Sequence, residues 1–431
     1  MAPAALWLII ISVKNLKRNW RHITLCVLTV ATILLLFSNA SLWQTAIGPM
    51  HNMEKTNYPF SDMHARLRMA DRAASGYDIN QDFGNNKPLY TVAAMKWLGL
   101  NPSNKVPVSI FFIGLFSFWN LWLLRPQRAI ELFFSLAVLL SPPCLMLIER
   151  ANDDIIIYSF ICAVPLLLKL NSNLGRLCAW VGISALVPMK YYPAAAYALL
   201  LHREHSSKRL TFFVLLSLAF LATFFFVIWQ ELTVIHDRIP VAAIFCSLGG
   251  RLLFDSMFLD SGVGKIWVFC GFGGLLCWVA FVLFRAEPRA TRDDPLNESY
   301  FLLGSSILTF CFFMNGNWDY RMAFLIPTIP LVFKWLSSNV KKERFLAAIY
   351  MLSMLLTLWP EYVYYSSVLE SDNRWVHQKD LHIASIRLKH AASWVMIGSQ
   401  MLIASYVLQP DIRLIISDLR ASLHKGSRAK S

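Results

Sequence analysis

Four short polar clusters interrupt a chain that is otherwise mostly apolar. They are Asp62 in a polar loop, and ERANDD (149–154), MKYYP (189–193) and GNWDYR (316–321) at the ends of apolar runs. A charge at a membrane helix end costs less than one at mid-bilayer, where insertion scales put it at roughly 2.5–3.5 kcal/mol. Clusters gathered on one face of a bilayer therefore read as a site. An acid facing several cations is what transfer from a lipid phosphate needs. The carboxylate takes the proton of an attacking hydroxyl, and the cations hold the charge of the leaving phosphate.

Each cluster also has a plainer reading. Asp62 opens a helical stretch, where an acid caps free N–H groups and favours the positive end of the dipole, although Ser61 can cap in its place. Glu149 with Asp153, and Arg150 with Asp154, are four residues apart and pair locally if one helix runs through them. Their other reading gives Arg150 to a phosphate and Glu149, Asn152, Asp153 and Asp154 to sugar hydroxyls. Lys190, between apolar residues and a Tyr-Tyr-Pro turn, either snorkels to the interface or clamps a phosphate beside Tyr191. Asp319 and Arg321 are either a structural pair or, with Asn317 and Tyr320, a sugar-and-phosphate face; Trp318 and Tyr320 also suit an interfacial belt. The histidines (His51, His64, His377, His382 and His390 among them) lack metal-ligand spacing, so no metal or other cofactor is implied, although the residues do not bar a divalent ion.

The elements that must carry these residues are membrane helices. The chain has 431 residues, 56% of them hydrophobic and only 15% charged, with a mean hydropathy of +0.49. Its repeated apolar runs approach the ~20 residues that cross a bilayer, which indicates an all-α polytopic protein forming a single integral membrane domain. A net charge of +14 fits basic inner loops better than nucleic acid. The eight cysteines form no C-x-x-C pair and mostly sit in apolar runs, as buried apolar residues do. No cleavable signal is evident. CGFGG (270–274) lies inside an apolar run and is no phosphate loop.

Expected spans fall near 23–43, 106–124, 129–148, 153–170, 177–189, 191–201, 210–229, 266–284, 300–315, 322–336, 345–359 and 391–409, about twelve in all, with a hairpin at 177–201 broken at Lys190–Pro193. Lys14, Lys17, Arg18 and Arg21 place residues 1–22 in the cytoplasm, and the basic tail 410–431 lies there too. Inner loops then hold Arg125 and Arg128, Lys169 and Arg176, Arg203 to Arg209, Arg285 to Arg292, and Lys341 to Arg344. Segments 44–105, 230–265 and 360–390 lie outside. On this topology Asn297-Glu298-Ser299, a glycosylation sequon, is cytoplasmic. Within 44–105 a helix runs from Asp62 to about Ser75, stopped by Gly76, with Leu67, Met69, Ala70, Ala73 and Ala74 suited to lie on the membrane surface.

SDMHARLRMADRAASGYDI (61–79), ERANDDIIIY (149–158), LVPMKYYPAAAYALLL (186–201) and NWDYRMAFLIPTIPLV (317–332) together resemble the GT-C superfamily of polytopic glycosyltransferases. Within it the match is to glycosyltransferase family 87, the polyprenyl-phosphate-sugar-dependent type. The resemblance covers roughly residues 20–335. Ala151 stands where that family often has glycine, and NNKPLY (85–90) replaces a more aromatic, proline-rich element. The resemblance implies a GT-C bundle with a surface helix and Asp62 as the catalytic carboxylate, while Arg150, Lys190 and Arg321, three cations from separate segments at one membrane face, are expected on the donor phosphate. The partners would be a polyprenyl-phosphate-linked sugar, a glycan or glycolipid acceptor, and membrane lipids, with no nucleic acid. The expected activity is inverting hexosyl transfer on the outer, periplasmic face of a bacterial inner membrane. Transport or flipping of a lipid-linked sugar or small solute is the rival reading, against which the span-end charges and the lack of an internal repeat both count.

Overall fold

Prolines decide where the apolar runs become helices and where they break. The computed structural model describes residues 2–38, 59–76, 89–202, 206–229, 247–257, 261–285, 294–314, 317–360 and 379–428. Asp78, the stretch 85–88, Cys246, His51 and His377 lie outside the described residues.

In chain order the helices are α1 (Ala2–Ser38), α2 (Ser61–Ala74), α3 (Leu89–Trp97), α4 (Lys105–Leu123), α5 (Ala129–Leu139), α6 (Pro142–Arg150), α7 (Asp153–Ile161), α8 (Val164–Lys169) and α9 (Asn173–Leu186). A 3₁₀ segment, Tyr192–Leu201, precedes α10 (Ser207–Val227). Then come strand β1 (Ser247–Leu248), α11 (Gly250–Met257), α12 (Ser261–Phe284), α13 (Pro295–Phe313) and strand β2 (Asn317–Trp318). A second 3₁₀ segment, Asp319–Thr328, leads into α14 (Ile329–Leu336), α15 (Lys341–Leu358) and α16 (Lys379–Arg428). The strands form an antiparallel pair, Ser247 opposite Trp318 and Leu248 opposite Asn317. All other regular structure described is helical, as the composition predicts.

The number of full-length spans differs from expectation. Five described helices are long and apolar enough to cross a bilayer, or six if α5 and α6, bent by 45° across Leu140–Ser141, count as one. Pro142, Pro165, Pro193 and Pro327 break the other runs, because proline lacks the N–H that continues a helix. Two ten-residue 3₁₀ segments follow such prolines or contain one. At ~2.0 Å per residue they climb further than an α-helix of equal length. Irregular backbone of this kind is tolerated at membrane depth only inside protein, and the second segment is buried from Asp319 to Thr328 except at Arg321.

The core is where α13, the second 3₁₀ segment, α15 and α16 meet. Gly304 lets α13 approach Phe324 and Thr328 so closely that a Cβ would lie 2.4 Å from the Phe324 carbonyl oxygen. Small residues at such crossings replace the hydrophobic driving force that lipid removes. A buried polar chain stitches the same elements. The Tyr350 hydroxyl meets Thr328 Oγ1 at 2.9 Å and Gln400 Oε1 at 3.1 Å, and Gln400 Nε2 donates to the Ser305 carbonyl and Thr309. Of the glycine cluster of α12, Gly271 serves packing, against the Trp394 ring of α16. None of the seven described cysteines is in a disulfide.

The helix expected on the membrane surface is placed differently. Its boundaries hold, and Gly76 follows it with φ +85°. Its apolar side, Met63, Leu67, Met69 and Ala70, is buried against protein, where α2 packs on α3, α4 and α6. Ala73 is half-buried and Ala74 exposed.

One end of the bundle gathers the basic connections. Arg21 donates to the Gln127 carbonyl at 2.7 Å, His22 meets the Leu124 carbonyl, and Arg128 reaches Ser337. The first basic cluster and two of the expected inner loops therefore share one end. Arg209 bonds Asn173, and Asp418 accepts from the Ser207 backbone N–H, which joins two more expected inner loops and the tail. α2 and the polar clusters occupy the other end.

Candidate active site

Two backbone bends build the site. At the end of α6, Ala151 turns into the left-handed region (φ 44°), and just before α2, Phe60 does the same (φ 66°). The Phe60 N–H donates to the Glu149 carbonyl at 2.7 Å, so the two bends are tied together. Left-handed backbone is unfavourable for residues with a Cβ; Ala151 stands between Arg150 and Asn152, and Phe60 two residues before Asp62. The bend at Ala151 also cancels the local pairs expected from spacing. Glu149/Asp153 and Arg150/Asp154 share no helix face, because α6 stops and α7 starts anew.

Asn152 is the joint. It caps α7 by accepting from the Asp154 backbone N–H at 3.1 Å. The same amide oxygen accepts from Lys190 Nζ at 2.7 Å, while the amide nitrogen donates to Asp62 and to Tyr320 Oη. Arg150 grips Asp62 with two parallel hydrogen bonds, Nε at 3.0 Å and Nη2 at 2.8 Å. This forked geometry is the strong form of a guanidinium–carboxylate pair.

Behind this pair lies a second, deeper one. Asp154 is bound by Lys190 and by the Tyr192 hydroxyl at 2.8 Å, with Arg321 Nε 3.5 Å away. Asp153 faces Arg66 at 3.3 Å. Both acids sit in the first turn of α7, where the helix dipole favours negative charge. Lys190 also lies over the Tyr320 ring and Arg321 over the Tyr192 ring. Burial pushes the Lys190 ammonium below its ordinary range, against the opposing pull of Asp154 and Asp153. Off to one side, Asp319 pairs with Lys389 of α16, and burial raises the Asp319 carboxyl above its usual range.

Accessibility is graded across the cluster. Asp62 and Arg150 keep 17% and 18% of their side-chain surface, and Arg321 keeps 19%, while Asp153 and Asp154 keep none. Among the described residues the group is also charge-balanced. Arg66, Arg150, Lys190 and Arg321 meet Asp62, Asp153, Asp154 and Glu149, the last acting electrostatically on Arg150.

The four clusters thus come together, but several members have other roles than the sequence indicates. Arg150 and Lys190 are already paired with acids, and of the two readings of Lys190 the buried side chain does not snorkel. Asp153 and Asp154 are wholly buried and hold cations, so they do not present oxygens to a sugar. Tyr191 packs on Phe224 and Phe225 of α10, and its neighbour Tyr192 is the tyrosine in the network. Asp319 and Arg321, two apart in GNWDYR, take different partners. Asn317 enters through its backbone, opposite Leu248.

Arg66, Tyr192 and Lys389 are members that sequence reasoning missed. Arg66 had a signal, since it falls on the buried stripe Met63–Leu67–Ala70 of α2, four residues after Asp62. Lys389 had none, because its partner lies on another element. No group of three or more His, Cys, Asp or Glu disposed to hold a metal occurs among the described residues. The chain matches no protein family, no characterised protein and no solved structure.

Proposed function

We propose that this chain is an inverting, polyprenyl-phosphate-sugar-dependent hexosyltransferase of a bacterial inner membrane. The donor and a glycan or glycolipid acceptor would meet on the outer face. The bundle would cross about twelve times, its proline-broken segments serving as short crossings shielded by neighbouring helices. The observation that carries the reading is the graded exposure of the cluster. Asp62, the acid at its rim, is paired with the partly exposed guanidinium of Arg150, and Arg321 is the cluster's other partly exposed guanidinium, held behind it on Asp154.

The charge balance suggests how such a site would work. An arriving donor phosphate competes with Asp62 for Arg150, and transfer of the guanidinium to the phosphate frees the carboxylate. The acceptor oxygen then attacks the anomeric carbon, its proton passes to Asp62, and the bond to the phosphate oxygen breaks. Polyprenyl phosphate leaves with its charge held by Arg150 and Arg321. Lys190, deeper in the cluster, fixes Asp154 and through it Arg321. No cofactor is required by this scheme.

The test is Asp62→Asn, which keeps the shape and one acceptor oxygen for Arg150 while removing the base. Membranes supplied with radiolabelled polyprenyl-phosphate mannose and a total glycolipid extract as acceptor should lose 10²–10⁴-fold in transfer, with the melting temperature near wild type. Cells carrying the variant should accumulate a polyprenyl-phosphate-linked sugar. Transfer within a few-fold of wild type would sink the role of Asp62.

One observation favours a second reading, movement of a solute or lipid-linked sugar. The polar cluster sits at broken helices, at Ala151–Asn152, at Lys190 and at the 3₁₀ segment from Asp319, as binding sites of transporters do. Reconstituted protein that moves labelled donor across a vesicle membrane without forming a new glycosidic bond would select it.

A further inference from the structure

A second site lies at the other end of the bundle, among the basic connections. A cavity of about 470 Å³ opens there between the end of α4, the start of α5, the start of α13 and α14. This is the size range of small-molecule pockets, ~300–1,000 Å³. Trp122, Tyr300 and Phe333 form its apolar walls, and Arg125, Arg128 and Lys334 supply its charge. It is separate from the cluster around Asp62. α7 runs between them, with Asn152 and Asp153 in the network at one end. At the other end the Cys162 carbonyl accepts from the Tyr300 hydroxyl at 2.9 Å. Nine residues at 1.5 Å each set the two about 14 Å apart along that helix.

The two acids lining the cavity are engaged in capping helices. Glu131 accepts from the Gln127 and Arg128 backbone N–H groups at 2.6 and 3.2 Å, closing the first turn of α5. Asp294 accepts from the Asn297 backbone N–H at 3.2 Å and from its side-chain amide at 2.7 Å, capping α13. The cations are less committed. Arg125 uses only its Nε, on the Trp122 carbonyl at 3.3 Å, and its guanidinium lies over the Trp122 ring. Arg128 spends one nitrogen on Ser337 and stands 3.8 Å from Glu131. Among the described residues the Lys334 ammonium makes no hydrogen bond or ion pair. Three cations from two separate segments thus surround one volume, with spare N–H groups and an excess of positive charge.

We infer that this cavity binds a phosphate ester. Guanidinium N–H groups match phosphate oxygens in pairs, and an ammonium adds a point charge. The aromatic walls accept the carbon skeleton that an ester carries and a bare phosphate lacks. Two sources share this chemistry: the headgroup of an anionic phospholipid in the adjoining leaflet, or a soluble phosphate ester. The inference does not depend on what happens at Asp62.

The test uses the purified full-length protein in a neutral detergent, with thermal shift and equilibrium binding as readouts. Three probes are compared: phosphatidylglycerol, phosphatidylcholine and glycerol 3-phosphate. Stabilisation by phosphatidylglycerol alone assigns the site to a lipid headgroup, and stabilisation by glycerol 3-phosphate as well assigns it to soluble esters. In either case Arg125→Gln/Lys334→Gln should weaken binding tenfold or more while its melting temperature without probe stays near wild type. If that variant does not fold, Lys334→Gln alone should show a smaller loss in the same direction. Lys341→Gln, an exposed cation outside the cavity, should bind as wild type. No binding by either anionic probe, equal binding by the cavity variant, or an equal loss in Lys341→Gln would overturn the site.

Discussion

The Asn152 side chain uses every hydrogen-bonding position it has, which makes it the most informative single residue to change. Asn152→Asp keeps the α7 cap and an acceptor for Lys190 but turns an oxygen toward the Asp62 carboxylate. We expect a loss of about 1–3 kcal/mol in stability, the cost of leaving buried polar groups unsatisfied, together with loss of transfer. If Asn152→Asp proves as stable and active as wild type in denaturation and transfer assays, the joint is not needed. The adjacent tyrosines give a finer comparison. Tyr192→Phe removes a hydrogen bond to a buried carboxylate and should cost about 1.5–3 kcal/mol, whereas Tyr191→Phe should cost less, because its ring packs at a tilt on Phe224 and Phe225 and phenylalanine keeps that contact. Chemical denaturation of the two variants side by side decides this. The sequence marks both tyrosines equally. Which one turns inward is set by where the 3₁₀ segment begins, and no local pattern records that.

Helix segments show a similar division between what the residues announce and what they conceal. The ends of α2, α4, α10 and α13 fall close to expectation because caps, Gly76 and charged loops mark them locally. Which segments reach full span length was less legible: the break at Lys190–Pro193 is marked in the sequence, but hydropathy does not register the bend before Pro142 or the 3₁₀ segment that contains Pro327. The convergence of the four clusters was legible from their placement at span ends, but their pairing was not. Asp62 with Arg150, Asp153 with Arg66 and Asp319 with Lys389 each join elements far apart in sequence. Close approach between elements is testable at Gly304. Gly304→Ala would put a methyl group into the Phe324 carbonyl, and overpacking of this kind costs about 1–3 kcal/mol. Ala at the exposed-side Gly273, where nothing lies within 4 Å, should be neutral or slightly stabilising, since alanine is the better helix former. Equal melting temperatures for the two variants would mean α13 is not packed as described.

For the whole molecule, the division into two ends makes a prediction about sidedness. If the basic connections face the cytoplasm, as the distribution of lysine and arginine requires, the exposed Ser75 after α2 lies outside and the exposed Asn339 before α15 lies inside. In intact spheroplasts of a strain expressing each variant, a membrane-impermeant thiol reagent should label Ser75→Cys and spare Asn339→Cys until the membrane is opened. The reverse pattern would place the Asp62 cluster in the cytoplasm. Nucleotide sugars would then be the available donors, and the case for a lipid-linked one would fall.

The pairing of distant charges also sets a timetable for manufacture. Arg150 is made 88 residues after Asp62, and Lys389 is made 70 residues after Asp319. At roughly 5–20 residues per second, Asp319 waits about 4–14 s for its counter-ion while α14 and α15 are made. During that interval an acid destined for the interior must stay at the water interface or be shielded by the insertion machinery. A ribosome that stalls or terminates before α16 leaves the acid stranded. Such a product carries its own mark for membrane proteases, and the arrival of α16 is what removes that mark from the second 3₁₀ segment.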